Sequence, residues 1–218
     1  MKIILASGSP RRYDLLKQMG WDVEVRSLPF AEAETVNEAA EILKSMRSQL
    51  LLNVTDQEKY LLLLAPYSNG DLVCAYNALG KGKATAQVTG TEFPVISADT
   101  IVVLGDTILG KPEDTPDAGR MLRELSGKIH QVKTAVAVMY EDKTLLQVVT
   151  TNVYFRSLTE KEIDRYIKTG EPLDKAGAYG IQGKGAVLVE KIEGSYDNVV
   201  GLPLATVYEM LLKLGVQE

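Results

Sequence analysis

Residues 2–6, Lys-Ile-Ile-Leu-Ala, run straight into Ser7-Gly8-Ser9-Pro10-Arg11-Arg12, and this junction constrains the fold more than any other stretch. An apolar run of that length, without polar alternation, reads as a short strand buried on both faces. Small residues then turn the chain. Ser9 is a favoured N-cap type, and Pro10 stands at the first helical position, where its missing N–H costs nothing. Leu15, Leu16 and Met19 share one helical face, Gly20 supplies a stop, and Val23 to Arg26 reads as a second strand. Strand, turn, helix and strand within 30 residues is the βαβ signature of an α/β protein.

The later segments fit that class. Val95 to Leu104 is a long apolar strand interrupted by Asp99 and Thr100. Thr115-Pro116 opens a helix whose apolar face is Ala118, Met121, Leu122 and Leu125, closed by Gly127. Val132 to Tyr140 and Thr144 to Phe155 flank Glu141-Asp142-Lys143 as a hairpin. Thr159 and Glu162 have the capping-box spacing for a helix carrying Ile163, Tyr166 and Ile167. A strand is expected at Ala186 to Ile192, and a final helix buries Leu204, Val207, Tyr208, Leu211 and Leu212. Residues 36 to 70 have helical composition from Asn37 to Leu52 and a Leu run before the loop-like Pro66 to Gly70, and they read as an insertion. The expected architecture is a mixed twisted sheet flanked by helices, one elongated domain over 1–218 in two lobes with a central cleft.

Composition narrows the function. Lys and Arg number 24 against 29 Asp and Glu, a net charge of −5, which argues against nucleic acid or an anionic membrane as partner. An anionic small molecule stays open, provided that cations gather locally. One Cys (Cys74) and one His (His130) make no internal disulfide and no Cys/His zinc site. No 18-residue apolar run exists, so a soluble cytoplasmic protein is expected.

Three segments carry residues suited to chemistry. The Ser7 to Arg12 turn presents a helix N-terminus to which phosphate oxygens bind, with Arg12 adding a forked contact; it also reads as a surface cap with solvated arginines. Asp99 inside an apolar strand is costly to bury ionised unless compensated. It suits a metal ligand or general base, against an edge position facing water. Asp174 to Gly185 holds glycines at 177, 180, 183 and 185, with Lys175 and Gln182 offering a charge and a two-sided amide; a flexible surface loop is the alternative. Gly110-Lys111-Pro112 adds a lysine near a strand end. No Walker A spacing occurs, His130 reads as structural, and Ser7 and Ser9 lack a His base.

Taken together, L-A-S-G-S-P-R-R (5–12), S-A-D-T (97–100), G-K-P (110–112), L-S-G-K-I-H-Q-V-K-T (125–134), E-P-L-D-K-A-G-A-Y-G-I-Q-G (171–183) and G-S-Y-D-N-V-V-G-L-P (194–203) resemble the Maf family of nucleoside triphosphate pyrophosphatases. The resemblance covers nearly the whole chain outside residues 36–78. It implies a fold like that of the Maf and ITPase proteins. The implied reaction is hydrolysis of a nucleoside triphosphate between its α and β phosphates, with Mg²⁺ or Mn²⁺. By position, Asp99 is the implied catalytic acidic residue and Ser7 and Arg12 are phosphate-binding. Lys111 is the lysine of the G/E-K-P element, and Glu32 joins Asp99 as an acidic, metal-holding residue. Arg11, Thr100 and Gln182 match positions that separate subfamilies, in the pattern of the branch acting on dTTP and UTP. Lys175 is a further candidate for the substrate. The family's Glu-Lys-Ala helix has Gly82-Lys83-Ala84 as its counterpart, which makes Lys83 the expected catalytic lysine. A homodimer is a further expectation. Another or modified base, or a nucleotide-binding cell-division regulator with little turnover, are the alternative readings.

Overall fold

In a computed structural model the chain is described at residues 1–33 and 69–216. The insertion expected over 36–70 therefore lies outside the described residues, except for Asn69 and Gly70. Those two open a helix instead of closing a loop.

Seven strands and six α-helices are described. They are β1 (Lys2–Leu5), α1 (Pro10–Gln18), β2 (Asp22–Val25), α2 (Asn69–Thr89), β3 (Val95–Leu104), β4 (Thr107–Leu109) and α3 (Thr115–Leu125). There follow β5 (Ile129–Tyr140), β6 (Lys143–Phe155), α4 (Glu160–Ile167), β7 (Val189–Glu193), α5 (Tyr196–Val200) and α6 (Leu204–Lys213). Short 3₁₀ turns occupy Glu171–Asp174, Ala176–Ala178 and Gly183–Leu188. The strands form one mixed sheet in the order β2-β1-β3-β5-β6-β7, with β4 paired to β3. β1 lies parallel to both β2 and β3, as the opening βαβ pattern requires, and β4 and β7 run antiparallel to their neighbours. Ile3, Ile4 and Leu5 are all buried, the two-sided burial expected of a central parallel strand.

Contacts divide the chain into two compact units. The first comprises Met1–Asp99, Ala135–Val148 and Gly201–Glu218; the second comprises Thr100–Thr134 and Val149–Val200. In the first unit α2 packs on the sheet around Ile4, Ala6, Leu79, Val95, Ala137 and Met139. Gly80 and Gly82 each cost a helix about 1 kcal/mol relative to Ala, yet α2 runs through both because its bare Cα positions allow close approach. A Cβ at Gly82 would meet Ser97 Oγ at 2.6 Å, and one at Gly80 would enter the Phe30 ring at 1.9 Å. Ser97 Oγ donates to the Ala78 carbonyl at 2.7 Å, fastening β3 to the helix at this point.

In the second unit α3 and α4 cover a core that includes Leu122, Leu125, Val153, Ile163 and Leu188. Asp114 caps α3 by accepting from the Asp117 N–H, and Thr159 with Glu162 forms the expected capping box of α4. The strand expected from Ala186 begins only at Val189. The preceding Gly183–Leu188 segment forms a 3₁₀ turn, within which Gly185 sits where a Cβ would lie 2.2 Å from the Gly180 carbonyl. Three-residue β4 was too short to leave a periodic pattern.

Candidate active site

The parallel pairing of β1 and β3 brings two of the sequence candidates together in the first unit. Leu5 pairs with Ile96, and the Ala6 N–H donates to the Ile96 carbonyl at 2.8 Å. The chain beyond β1 therefore carries Ser7 alongside the part of β3 that holds Asp99. Ser7 is buried, and its Oγ accepts from Arg12 Nη1 at 3.1 Å and from the Ser9 N–H at 3.3 Å. Ser9, expected to cap α1 through its hydroxyl, makes no such bond, so the helix start is not occupied by that side chain. Arg12 Nε donates to the Gly201 carbonyl at 2.8 Å. Burial pulls the Arg12 guanidinium below its ordinary pKa. Asp99 is the strongest influence opposing that shift and Glu32 a smaller one, while Arg11 adds to it.

Asp99 is only 7% exposed. Its Oδ1 accepts from Lys81 Nζ at 2.7 Å and its Oδ2 from Asn77 Nδ2 at 3.3 Å. The same Lys81 Nζ stands 2.9 Å from Glu32 Oε2, so one ammonium bridges both candidate metal-holding carboxylates. Asn77, Lys81 and Thr85 are spaced by four and share one face of α2. Thr85 Oγ1 continues that face by donating to the Arg26 carbonyl at 3.1 Å. Lys83 stands two residues on, roughly 200° round the helix from Lys81. It does not share the Asp99 cluster. It is half-buried and lines a shallow depression with Ala86, Gln87, Thr91, Met139 and Glu141, where burial lowers its pKa. The lysine that reaches Asp99 is thus Lys81, while Lys83, the expected catalytic lysine, stands outside that cluster.

The second unit holds the remaining candidates. Thr100 Oγ1 lies 2.9 Å from Thr134 Oγ1, which donates to the Asn198 carbonyl at 3.1 Å. The Gly177 N–H donates to the Gly110 carbonyl at 2.9 Å, drawing the Gly110-Lys111-Pro112 turn against the glycine-rich segment. Gly177 has φ +67°, and a Cβ there would lie 2.9 Å from Val102, so this position requires glycine on both counts. Lys111 and Gln182 are exposed. Lys175 folds into its own loop, its Nζ donating at 2.5 Å to both the Glu171 carbonyl and Asp174 Oδ1. His130, read as structural, is 1% exposed and packs edge-on to Phe155 and Tyr179.

Among the described residues no three His, Cys, Asp or Glu side chains converge as a complete metal cage. Glu32 and Asp99 nevertheless aim carboxylate oxygens at a single cationic centre. That donor set suits a hard divalent ion of the Mg²⁺ type, which takes one or two protein carboxylates and fills its other positions with phosphate and water. Asn77 and Lys81 escaped the sequence reading. Their four-residue spacing was visible, but the glycines at 80 and 82 disguised the helix on which that spacing has meaning.

Comparison with known proteins places this geometry in a known context. The family model described as "Maf-like protein" matches residues 2–214. A protein of Dictyoglomus thermophilum named dTTP/UTP pyrophosphatase is 45% identical over 217 residues, 98% of this chain and 96% of the relative. One of Salmonella typhimurium with the same name is 42% identical over 209 residues, covering 96% of this chain and 91% of the relative. Among solved structures, the Ham1 protein of Staphylococcus aureus superposes with a TM-score of 0.47 at 13% identity, covering 99% of this chain and 100% of that one. A likeness that loose transfers no activity.

Proposed function

The chain belongs to the Maf family, and from that premise we propose that it hydrolyses dTTP and UTP between the α and β phosphates, releasing the monophosphate and pyrophosphate. The observation that carries the reading is the cluster in which Lys81 bridges exposed Glu32 and buried Asp99 while Arg12 lies within electrostatic reach of both carboxylates. Two anions and two cations gathered in one place are what a triphosphate and its counter-ion would exchange with. The relatives' shared name supports the choice of pyrimidine nucleotides.

Hydrolysis of a phosphoanhydride needs an oriented water, an acceptor for its proton, and offset of the charge that builds on the phosphate oxygens. Asp99 is the proposed proton acceptor: its Oδ2 is held by Asn77, and its Oδ1 is occupied by an ammonium that has phosphate as an alternative partner. Arg12, aligned through its bonds to Ser7 Oγ and the Gly201 carbonyl, presents its guanidinium to phosphate oxygens. Lys81 leaves the carboxylates for the triphosphate as substrate enters. Glu32 and Asp99 would hold a divalent cation, which supplies charge neutralisation and activation of water when bound. Lys111 remains a proposed catalytic lysine, and Lys175, Arg11, Thr100 and Gln182 remain proposed substrate contacts, with Gln182 of the glycine-rich loop reading a base edge. Since nucleoside triphosphates are intracellular metabolites, the cytoplasm is the proposed place of action.

The test is product analysis on dTTP, UTP, CTP and GTP, with and without Mg²⁺. Monophosphate plus pyrophosphate, fastest from dTTP and UTP and only with the metal, is the expected outcome. Diphosphate plus orthophosphate would overturn the assigned bond, and equal turnover of GTP would overturn the assigned base. Asp99→Asn should keep the fold and lose pyrophosphate release.

A further inference from the structure

Asn77 lies beneath the acidic cluster with three hydrogen bonds, and none of the sequence motifs includes it. Its Oδ1 accepts from the Ala33 N–H at 2.8 Å, while its Nδ2 donates to the Ala33 carbonyl at 3.1 Å and to Asp99 Oδ2 at 3.3 Å. The orientation of the carboxamide is forced. The Ala33 N–H can only donate, so Oδ1 must face it, and both Nδ2 hydrogens are left for the Ala33 carbonyl and the carboxylate. Asn77 is 3% exposed and Ala33 6%, so no bulk water competes for these bonds.

We propose that Asn77 is the positioning residue of the proposed cation site, tying the backbone that carries Glu32 to the carboxylate of Asp99. Pairing with Ala33 on both its N–H and its carbonyl fixes the backbone of the residue that directly follows Glu32, as a neighbouring strand would. The third bond fixes the rotation of the Asp99 carboxyl. Two acidic side chains separated by 67 positions in sequence are thereby referenced to one side chain on α2. The other common side chains of similar size fail chemically. Aspartate has no N–H to give the Ala33 carbonyl or Asp99, and leucine would leave both backbone groups of Ala33 unpaired.

This inference rests on the metal-dependent reading above, and its test is separable from that of turnover. Mn²⁺ is titrated calorimetrically into the nucleotide-free protein and into the Asn77→Ala and Asn77→Ser variants, and kcat and KM for dTTP are measured alongside. Residues that orient metal-holding side chains typically contribute about 10–100-fold in affinity or activity. Asn77→Ala should weaken Mn²⁺ binding and lower kcat by that order, with KM little changed. Asn77→Ser, whose hydroxyl can replace one bond, should lose less, and it carries the test if the alanine variant does not fold. Thr159→Ala, in the second unit, controls for destabilisation and should bind Mn²⁺ as the unmodified protein does. A folded Asn77 variant with a lowered melting temperature but unaltered Mn²⁺ affinity and kcat would overturn the proposal and leave Asn77 as packing. An unmodified protein that binds no Mn²⁺ would overturn it as well, whereas failure to release pyrophosphate with Mn²⁺ binding intact would count only against the proposed reaction.

Discussion

Replacing His130 should remove a defined part of the protein's sensitivity to acid. His130 Nε2 lies 2.7 Å from Tyr179 Oη, its ring meets Phe155 at 4.9 Å nearly perpendicular, and its Nδ1 is buried with no partner among the described residues. An imidazolium there would place a positive charge among aromatic faces with one N–H unsatisfied. Burial accordingly lowers its pKa from 6.5 to about 4. Above pH 6.5 the ring is neutral in both folded and unfolded chains and contributes no pH dependence. Between 6.5 and about 4 the unfolded chain binds a proton that the folded one refuses, so stability falls as pH falls. A window of about 2.5 pH units at ~1.4 kcal/mol per unit gives a limiting loss of about 3.5 kcal/mol, of which about 3 kcal/mol is reached by pH 4, where the folded ring is itself half protonated. For a chain of this length that is roughly 6–12 °C in melting temperature. His130→Leu stays neutral throughout. It should be less stable near pH 7.5, since Tyr179 loses its partner at a cost of about 1–3 kcal/mol, but it should lose about 3 kcal/mol less between pH 7 and pH 4. Urea unfolding of both proteins at half-unit pH intervals measures the difference. Parallel curves would refute the reasoning, because they would mean that the buried ring takes up its proton as readily as a free one.

Three further outcomes follow from the geometry. Lys81→Gln removes the ammonium shared by Glu32 and Asp99, so Mn²⁺ should bind the nucleotide-free protein more tightly while pyrophosphate release falls. Lys83→Gln should change both far less, and the opposite ranking in a coupled pyrophosphate assay would return the catalytic role to Lys83. Gly82→Ala gains about 1 kcal/mol of helix propensity, but it drives a methyl to 2.6 Å from Ser97 Oγ and 3.0 Å from Met139 Cε. A net loss of roughly 1–3 kcal/mol is expected in chemical denaturation, and a stabilised variant would show that α2 stands further from the sheet. Thr159→Ala removes the hydroxyl that accepts from the Glu162 N–H, the side-chain half of the α4 capping box, and should lower stability by about 1 kcal/mol, read as a shifted urea midpoint at unchanged slope.

Much of the fold was legible because local signals agreed with one another. Val95–Leu104 is bounded as the apolar run suggested, and Thr159 with Glu162 caps as its spacing implied. The two-residue link between β5 and β6 also falls where charged turn residues interrupt two β-rich runs. Elements governed by tertiary contact were not legible. α2 contains two glycines mid-helix, Gly80 and Gly82, and no one-sided apolar stripe, because the helix is held by close approach to Phe30, Ser97 and Met139, which are distant in sequence. The segment before β7 looked like strand because Ala186, Val187 and Leu188 are apolar, yet it forms a 3₁₀ turn in which Gly185 stands too close to the Gly180 carbonyl to carry a side chain.

The site divides along the same line, and for the same reason. Candidate site residues at the end of a strand or in the turn after it, such as Ser7 and Arg12, announce themselves because small residues and charges interrupt an apolar pattern. Asp99 does so as well, since an acid in the middle of a buried strand conflicts with its surroundings. Asn77 and Lys81 conflict with nothing: a polar residue and a lysine on a helix are ordinary until that face is known to cover an aspartate. Composition carried an equivalent blind spot. A chain of net charge −5 is a poor general host for anions, but the quantity that matters is the local charge around Asp99, where Lys81 and Arg12 balance Glu32 and Asp99. In the proposed reading, triphosphate binding depends on releasing two cations from internal partners rather than on a surplus of positive charge. That is why the acidity of the whole chain never bore on the acidity of the site.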